Sequence, residues 1–311
     1  MPPFVSINLC CYNGEQYLEE ALQSVFSQTY KDWELVVIND GSTDSTEDII
    51  KRHISEGWPI VYHHQANAGI GAARTKALEL SSGSIIAFID QDDIWISDKL
   101  EKQIPLFDDP TVGLVFSDAI LFNEEGKSNR LYSKRPYYTG YCFSYLLSDY
   151  FLSIQTVLIR RSVLDTQQEW FDPRFSMIEE ADLFRRISYK SKLDMVNEPL
   201  AKWRVHSGSL TFSKPHLFLE ETSLMLNKYR KIFPEFNQQF SKKIQILERE
   251  VNINYALSCL NSGNRYRARS CLSPYIFSSI KTFVLFLITI CPRSLISSVL
   301  KYRMTLPSNK K

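Results

Sequence analysis

Short apolar runs alternate with longer amphipathic stretches between Val5 and Phe122 of the 311-residue chain. The runs are rich in β-branched residues, and in the stretch after the first run the apolar residues recur at helical spacing. Such alternation is typical of βαβ units, so it predicts a mostly parallel central sheet flanked by helices. The predicted strands are Val5–Cys11, Glu34–Asn39, Ile60–His63, Ile85–Ile89 and Gly113–Phe122.

The pattern is less regular after Phe122 and becomes helical towards the C-terminus. The elements predicted there are a helix near Tyr141–Leu147, a strand at Thr156–Arg160, a helix that begins at Glu179, and long amphipathic helices at Leu217–Phe233 and Phe236–Leu260. We therefore expect an α/β domain over residues 1–213 and a helical C-terminal extension over residues 214–311.

The composition is that of a folded protein with a sizeable core, since 44% of the residues are hydrophobic and 23% are charged. The formal net charge of +1 conceals an uneven distribution. Nine basic and no acidic residues follow Glu250, which leaves 27 basic residues against 35 acidic residues before that point. The tail is therefore expected to contact an anionic partner, whereas the acidic body is not, and we expect no nucleic acid as a partner.

The end of the chain, from about Pro274 to Met304, is apolar and basic. Residues 283–290 are apolar apart from Thr289, but a helix that spans a bilayer needs about 20 such residues. Two interpretations remain open at this point: a helix that lies in the interface of an anionic membrane, and a helix that packs on the rest of the protein.

The six cysteines form no C-x-x-C pair and no zinc-ligand spacing. We expect them to be reduced, mostly buried thiols of a cytoplasmic protein. The apolar run that begins at Phe4 is expected to be a strand rather than a signal peptide, because no basic region precedes it and it ends at Tyr12.

Polar motifs follow three of the predicted strands at the point where each strand ends. They are Tyr12-Asn13-Gly14, Asp40-Gly41-Ser42 and Asp90-Gln91-Asp92-Asp93. In open α/β sheets the ligand crevice lies beyond the carboxyl ends of the strands. We therefore expect the three motifs to meet at one edge of the sheet.

The Asp90-Gln91-Asp92 segment carries the strongest chemical signal. Two carboxylates one residue apart can share a hard cation and a ribose, because Mg²⁺ and Mn²⁺ prefer oxygen ligands and take the remainder from phosphate and water. Asp40 is placed to accept a hydrogen bond from a nucleobase N–H. The alternative for both segments is structural, since acidic residues also end strands and cap helices.

Further candidates lie on two predicted helix starts. Asn67–Arg74 is a glycine-containing segment that opens a helix, where free backbone N–H groups favour an anion and Arg74 can reach a diphosphate. Glu179–Leu183 places carboxylates at the start of a helix, either as a favourable interaction with the helix dipole or as a general base. His206 by itself would more often be a structural hydrogen-bonding residue than a ligand, and it becomes a candidate only together with the other segments.

Taken in order, these segments resemble the family-two glycosyltransferases of the GT-A fold, from Val5 to about Ser209. The resemblance is carried by Cys11–Glu15, Leu35–Asp44, Asn67–Arg74, Asp90–Trp95, Glu179–Leu183 and Arg204–Ser209. It implies a GT-A nucleotide-sugar-binding fold in which residues 1–122 form the nucleotide-binding half and residues 123–213 the acceptor-binding half.

The resemblance also implies roles for individual residues. Tyr12 and Asp40 would hold the nucleobase, and Arg74 would lie near the base or the phosphates. The other residues expected at the nucleotide are Asn13, Glu15, Asn67, Gly69 and Asp90, the last facing the ribose or the metal.

The metal and the base are assigned in the same way. Asp92 would bind Mn²⁺ or Mg²⁺ at the diphosphate, and His206 matches a histidine that completes the metal site in several members. The family base is usually the second carboxylate of a Glu-Asp pair, and this chain has Glu180 there. That departure leaves Asp182 as the alternative base.

The implied reaction is an inverting, metal-dependent transfer of a sugar from a nucleotide diphosphate donor, with uridine or deoxythymidine as the nucleoside. The amino-acid sequence of Ile89–Trp95 is similar to that of members that build bacterial surface polysaccharides. This similarity implies a glycan or lipid-linked acceptor, and we expect the protein at the inner face of the membrane. Two other classes remain: an aspartate-dependent phosphotransferase, which also places Asp-x-Asp after a strand, and a nucleotide-sugar-binding protein without turnover, for which Glu180 in place of Asp is the one supporting feature.

Overall fold

The computed structural model describes residues 4–206 and 215–290. The chain divides into two compact units, Met1–Leu210 and Thr211–Lys311. The first unit contains the sheet and all of the sequence motifs discussed above.

A nine-stranded sheet forms the centre of the first unit within the described residues. Its strands are β1 (Val5–Cys11), β2 (Trp33–Asn39), β3 (Ile60–His64), β4 (Ile85–Asp90), β5 (Ile94–Trp95), β6 (Val112–Phe122), β7 (Ser128–Arg130), β8 (Leu158–Arg160) and β9 (Lys192–Arg204). The order across the sheet is β3-β2-β1-β4-β8-β6-β9-β5, and β7 pairs with β6.

Strands β1 to β4 are parallel and in close register, with Val5 opposite both Trp33 and Ile85. Their carboxyl ends therefore meet at one edge, which carries the polar motifs. Strand β8 is antiparallel to its neighbours β4 and β6, and β9 is parallel to β6. The prediction of a mostly parallel sheet is thus confirmed, with short strands reversed in the second half.

Helices cover both faces of the sheet because the parallel strands bury both of their faces. Along β4 the alternate residues Ile85, Ala87 and Ile89 join one core cluster, whereas Ile86 and Phe88 join another. The helices of this unit are α1 (Leu18–Phe26), α2 (Thr46–Ser55), α3 (Ile70–Leu80), α4 (Lys99–Gln103), α5 (Phe143–Ser148), α6 (Arg161–Leu164) and α7 (Glu179–Lys190).

The second unit is helical over its described residues, as predicted. It contains α8 (Pro215–Ile232), α9 (Phe236–Asn261), α10 (Arg265–Leu272) and α11 (Ile280–Ile290). Helices α9, α10 and α11 share a small core that includes Ile253, Leu272 and Leu285. The part of the predicted apolar tail after residue 290 lies outside the described residues.

The two units differ from the sequence-based expectation in a few elements. The long strand β9 was not predicted, because its sequence mixes charged and apolar residues without alternation and its pairing with β6 has register shifts. The predicted strand at Thr156–Arg160 begins as a 3₁₀ turn at Ile154–Thr156, so the strand is shorter.

The cysteines follow the expectation where they are described. Cys10, Cys11, Cys142 and Cys259 are free and buried, and Cys271 is free and partly buried. Among the described residues, no helix has the length and apolar character needed to cross a membrane.

Gly83 lies in a turn where the chain approaches β1 closely, and this generates a stability prediction. A Cβ atom at this position would lie 2.5 Å from the backbone nitrogen of Ser6 and 2.9 Å from the carbonyl oxygen of Phe4. We expect Gly83→Ala to lower the free energy of unfolding by about 1–3 kcal/mol in urea titrations, since backbone atoms must shift to admit the methyl group. The exposed neighbour variant Ser84→Ala is the control and should change it by less than about 0.5 kcal/mol; equal effects would contradict the prediction.

Candidate active site

The loop after β1 is held against the turn that follows β4. Gln91 brackets the backbone of Tyr12, since its Oε1 accepts from the Tyr12 N–H at 2.9 Å and its Nε2 donates to the Tyr12 carbonyl at 3.1 Å. Gly14 is needed in this loop because a Cβ there would lie 2.3 Å from Gln91 Oε1. Tyr12 is half exposed and lines the crevice.

Asn13 and Glu15 hold the loop that follows β2. Asn13, which adopts a positive φ of 48°, accepts from the Thr43 N–H at 2.8 Å. Glu15 Oε2 accepts from the Ser45 N–H at 2.9 Å. These two side chains, which were predicted to bind the nucleotide, therefore order the Ser42–Thr46 segment, and Asn13 also lines the cavity described below.

Asp40 is buried at the end of β2 and holds the segment that opens α3. Its Oδ1 accepts from Gln65 Nε2 at 2.7 Å and from the Ala68 N–H at 3.0 Å, and its Oδ2 accepts from the Gly69 N–H at 2.9 Å. The structure thus places Asp40 and Gly69 together, as predicted for one site. The carboxylate stabilises the loop, whereas Asn67 beside it is exposed.

Arg74 is the buried cation of the site. From the first half of α3 it donates to Asp90 Oδ1 at 2.8 Å and to Glu179 Oε1 at 2.6 Å, and it lies 3.8 Å from Glu180 Oε2. Burial opposes its charge, but the three carboxylates outweigh that effect and raise the pKa of the guanidinium above its usual range. Arg74 therefore links the end of β4 to the start of α7.

Glu180 lies at this junction and keeps 22% of its side chain exposed. The hydroxyl of Tyr150 donates to its Oε1 at 3.4 Å. The pKa of Glu180 is raised to about 8, mainly by burial. The charge of Arg74 acts to lower this pKa, and the negative charges of Glu179 and Asp90 act with burial to raise it. A carboxyl group with this pKa can take up and release a proton near neutral pH, which suits a general base.

Asp182 does not reach the crevice. Its side chain has no exposed surface, and Oδ2 pairs with Arg186 at 3.0 Å. Arg186 in turn donates to the carbonyl oxygens of Glu169 and Trp170. The geometry therefore favours Glu180 over Asp182 as the base, because two residues along a helix turn a side chain by about 200°.

Asp92 and His206 face each other at the carboxyl edge of the sheet. His206 Nε2 lies 2.9 Å from Asp92 Oδ2, and both side chains are partly exposed. Burial and the negative charge of Asp90 raise the pKa of Asp92. The two residues predicted to bind a metal are therefore brought together, although they lie 114 positions apart in sequence.

Asp93 has a structural role beside them. It is buried, and its Oδ1 accepts from the Arg204 N–H at 2.9 Å. Arg204 also donates from Nε to the carbonyl oxygen of Asp92 at 2.9 Å, and its guanidinium lies over the rings of Tyr17 and Phe122. This contact fixes the end of β9, which delivers His206.

A cavity of about 670 Å³ opens at this edge. Its lining residues are Tyr12, Asn13, Gly14, Gln16, Tyr17, Gln91, Asp92, Asn123, Glu124, Glu125, Val205 and His206. A second depression of about 520 Å³ lies at the opposite end of β4, around Ser82–Ile85 and Arg160–Ser162, away from every predicted site residue. The cavity at the carboxyl edge is therefore the candidate active site.

The sequence analysis assigned no role to two residues, Tyr150 and Lys99. Tyr150 contacts the candidate base, but it lies in an irregular segment that carries no motif. Lys99 is fully buried, lies 4.5 Å from the ring of Trp95 and donates to Gln103. Trp95 Nε1 and Gln103 Nε2 each donate, at 2.9 Å, to successive carbonyl oxygens of the turn before β8. A lysine at apolar helical spacing was the available signal for this buried group.

The chain is similar to known proteins in both sequence and structure. The family model described as glycosyl transferase family 2 matches residues 6–167. A Bacillus subtilis glycosyltransferase named for teichuronic acid biosynthesis, TuaG, is 37% identical over 126 residues, which cover 40% of this chain and 50% of the relative. The Bacillus subtilis glycosyltransferase EpsH is 28% identical over 278 residues, which cover 85% of this chain and 79% of EpsH.

Solved structures share the fold at lower identity. Staphylococcus aureus TarS, residues 1–349 in complex with UDP-GlcNAc, has a TM-score of 0.66 and 19% identity, covering 98% of this chain and 93% of that one. The Pyrobaculum calidifontis mannosyltransferase PcManGT, in complex with GDP-Man and Mn²⁺, has a TM-score of 0.62 and 15% identity, covering 96% and 84%. The match spans only half of TuaG and 32% of a Rickettsia bellii glycosyltransferase.

The network around Arg74 generates a prediction of pH-dependent stability. Arg74→Met leaves buried carboxylates without their cation, so we expect it to lower the free energy of unfolding by about 3–5 kcal/mol at pH 8. The loss should be smaller at pH 5, because carboxyl groups left without the cation can bind protons and become neutral. Urea titrations of wild type and variant at the two pH values measure the difference.

Lys76→Met is the matched control for this variant, since Lys76 lies on the same helix and forms an exposed ion pair with Glu79. It should cost less than about 1 kcal/mol at either pH. A penalty for Arg74→Met that is the same at pH 5 and pH 8 would show that its effect is one of packing rather than charge.

Proposed function

We propose that this chain, which belongs to glycosyl transferase family 2, transfers a sugar with inversion from a nucleotide diphosphate donor to a hydroxyl of a glycan or lipid-linked acceptor. The chain is a glycosyltransferase with the GT-A fold. The inversion at the anomeric carbon, the donor and acceptor, the metal requirement and the roles of individual residues are the parts that we propose.

One observation carries the proposal: a pair of ligand-type side chains lines the cavity at the carboxyl edge of the sheet, and a buried cation ties this edge to the helix that carries the candidate base. Asp92 and His206 face each other there, and Asp90, two residues before Asp92, is tied through Arg74 to the helix that carries Glu180. Nucleotide binding and acceptor deprotonation require groups of these types on either side of the sugar. Arg74 supports the arrangement by positioning Asp90 and Glu180, and its predicted place near the base or the phosphates remains part of the proposal.

Asp92 and His206 fit a divalent ion. Among the residues that the structure describes, no group of three or more His, Cys, Asp and Glu side chains is arranged around a metal position. A carboxylate oxygen and an imidazole nitrogen 2.9 Å apart at the cavity can nevertheless supply two ligands, and Mn²⁺ or Mg²⁺ takes its other ligands from diphosphate and water. When bound, such an ion would neutralise charge on the leaving diphosphate.

Glu180 is the residue proposed to remove the acceptor proton. The hydroxyl oxygen attacks the anomeric carbon as the bond from that carbon to the diphosphate oxygen breaks, and Glu180 accepts the proton that the hydroxyl loses. A single displacement inverts the configuration and needs no protein nucleophile. Tyr150 orients the carboxyl group, and the cation of Arg74 favours its ionised form.

The donor is proposed to carry uridine or deoxythymidine. TarS, which shares the fold, has been crystallised with UDP and with UDP-GlcNAc. The exposed ring of Tyr12 and the loops ordered by Asn13, Glu15 and Asp40 would bind the nucleoside. A polysaccharide acceptor is supported by the name of the relative TuaG, and we propose that the reaction takes place at the inner face of the cell membrane.

The two alternative functions considered from the sequence are not equally compatible with these findings. An aspartate-dependent phosphotransferase is incompatible with membership of the family. A binding protein without turnover differs from the proposed enzyme only in the behaviour of Glu180, which the kinetic measurements below distinguish.

The metal proposal predicts the effect of changing Asp92. We expect Asp92→Asn to weaken Mn²⁺ binding, measured by calorimetry with the nucleotide diphosphate present, and to lower kcat/KM for transfer or donor hydrolysis by at least about 100-fold, since a ligand for the charge-neutralising ion is lost. Wild type should show a thermal shift with a nucleotide sugar only when Mn²⁺ or Mg²⁺ is present.

Asp98→Asn is the control, because Asp98 lies in the same segment and pairs with exposed Lys102. It should retain metal binding and turnover within about threefold. Full turnover by Asp92→Asn, or the absence of binding for every nucleotide sugar tested with the wild-type protein, would refute the proposed function.

The base assignment predicts a pH dependence. Because the pKa of Glu180 is raised to about 8, kcat/KM should rise with pH as the carboxyl group ionises and level off above that value. Glu180→Gln should lower kcat by about 10²–10⁴-fold with metal and nucleotide binding unchanged. Steady-state kinetics between pH 6 and about pH 9 test both expectations.

Tyr150→Phe gives the sharper comparison. The Tyr150 hydroxyl donates to Glu180 and thereby lowers the pKa of this carboxyl group, so the variant should move the acidic limb of the profile to higher pH. If the acidic limb of the kcat/KM profile is not shifted in Tyr150→Phe and Glu180→Gln is fully active, then a residue other than Glu180 is the base.

A further inference from the structure

Helix α11 exposes apolar side chains and buries polar ones. Thr282 and Thr289 are 0% and 1% exposed, whereas Ile280 is 85% and Ile290 is 56% exposed. An amphipathic helix on the surface of a globular protein is expected to do the reverse and to turn its apolar stripe towards the core. The orientation of α11 therefore calls for a physical cause and for a partner.

Hydrogen bonds within the second unit fix this orientation. Thr282 Oγ1 lies 2.8 Å from Ser279 Oγ, and Thr289 Oγ1 donates to the carbonyl oxygen of Phe286 at 2.7 Å. Arg269 on α10 donates from Nη2 to the Thr289 carbonyl oxygen at 3.1 Å. Leu285, between the two threonines, packs into the core shared with α9 and α10. The buried face is thus hydrogen-bonded through Thr282 and Thr289, and Phe286 and Ile288 at its edges pack against the same core.

The outward residues form a continuous apolar stripe, which we call the α11 stripe. Its members are Ile280, Phe283, Val284, Leu287 and Ile290, and exposed Phe277 precedes it. Their spacing of three and four residues places them on one helical face. Contiguous apolar surface of this kind marks a site of protein or membrane contact.

The charges around the stripe indicate which contact. Nine basic and no acidic residues follow Glu250, and exposed Arg267 and Lys281 lie among them on the described helices. A second copy of the chain docked through the same face would bring like charges together, which opposes association. An anionic lipid surface offers hydrocarbon for the stripe and negative headgroups for the basic residues.

We propose that the α11 stripe inserts into the interface of an anionic lipid bilayer, with α11 parallel to the membrane plane. The apolar run at residues 283–290 is followed in the sequence by Pro292 and Arg293, whereas a helix that spans the hydrocarbon layer needs about 20 apolar residues, so we place α11 on the surface of the bilayer. The inference rests on the proposed function only in assigning a lipid-linked acceptor to this surface. Of the two interpretations of the tail, this proposal adopts the one in which the helix lies in the membrane interface.

The test is co-sedimentation of the full chain with vesicles. The probes are phosphatidylcholine vesicles with and without phosphatidylglycerol. We expect binding to the anionic vesicles that weakens with salt, since each lysine or arginine near the surface strengthens binding by about fivefold. The double variant Phe283→Ser/Leu287→Ser should bind at least about tenfold more weakly, because two apolar side chains leave the interface.

Leu224→Ser is the matched control. Leu224 on α8 and Leu287 on α11 are both 43% exposed, but Leu224 lies outside the stripe. It should bind the vesicles as wild type does, and neither variant should change the thermal unfolding temperature or donor hydrolysis in the absence of lipid.

Each other result overturns the proposal. Equal binding to neutral and anionic vesicles, or equal binding by wild type and the double variant, removes the stripe from membrane contact. A lower unfolding temperature of the double variant shows that the stripe is packed within the protein, and dissociation of an oligomer in light scattering assigns the stripe to a second copy. Donor hydrolysis without lipid is measured separately, so a failure of the enzymatic proposal is distinguished from a failure of this one.

Discussion

A single buried guanidinium ties the first unit together. Arg74 pairs with Asp90 at the end of β4 and with Glu179 on α7, two residues far apart in sequence. A buried charge is costly unless it is paired and hydrogen-bonded, so the cation and its carboxylates stabilise one another only in this arrangement. The nucleotide-facing strand end and the helix that carries the candidate base are therefore held in a defined relation by electrostatics as well as by packing.

The surrounding loops follow a similar principle at lower cost. Asn13, Glu15 and Asp40 each accept hydrogen bonds from backbone N–H groups of a neighbouring loop. Unpaired backbone groups would otherwise bind water and leave the loops free to move. The polar residues at the strand ends thus give the crevice its shape before any ligand arrives, which reduces the entropy lost on binding.

Local periodicity explains why much of the fold was predictable. Strands β1 to β4 and helices α8 and α9 have strong apolar patterns, and their predicted bounds lie close to the observed ones. Strand β9 was missed because pairing with β6, and not its own sequence pattern, makes it extended. The site shows the same division: motif order identified the edge and the Asp92–His206 pair, but the roles of Asp40, Asp182 and Tyr150 depend on distant partners that one sequence does not reveal.

The position of Arg204 has a consequence for biosynthesis. Its guanidinium lies 4.5 Å from the ring of Tyr17 and 4.6 Å from the ring of Phe122, and its backbone N–H is bound to Asp93. His206 follows two residues later, so the imidazole meets Asp92 only after the chain has been translated through β9 and that strand has joined the sheet. A cation that needs both side chains would consequently bind only chains that extend to His206 and in which β9 has paired with β6.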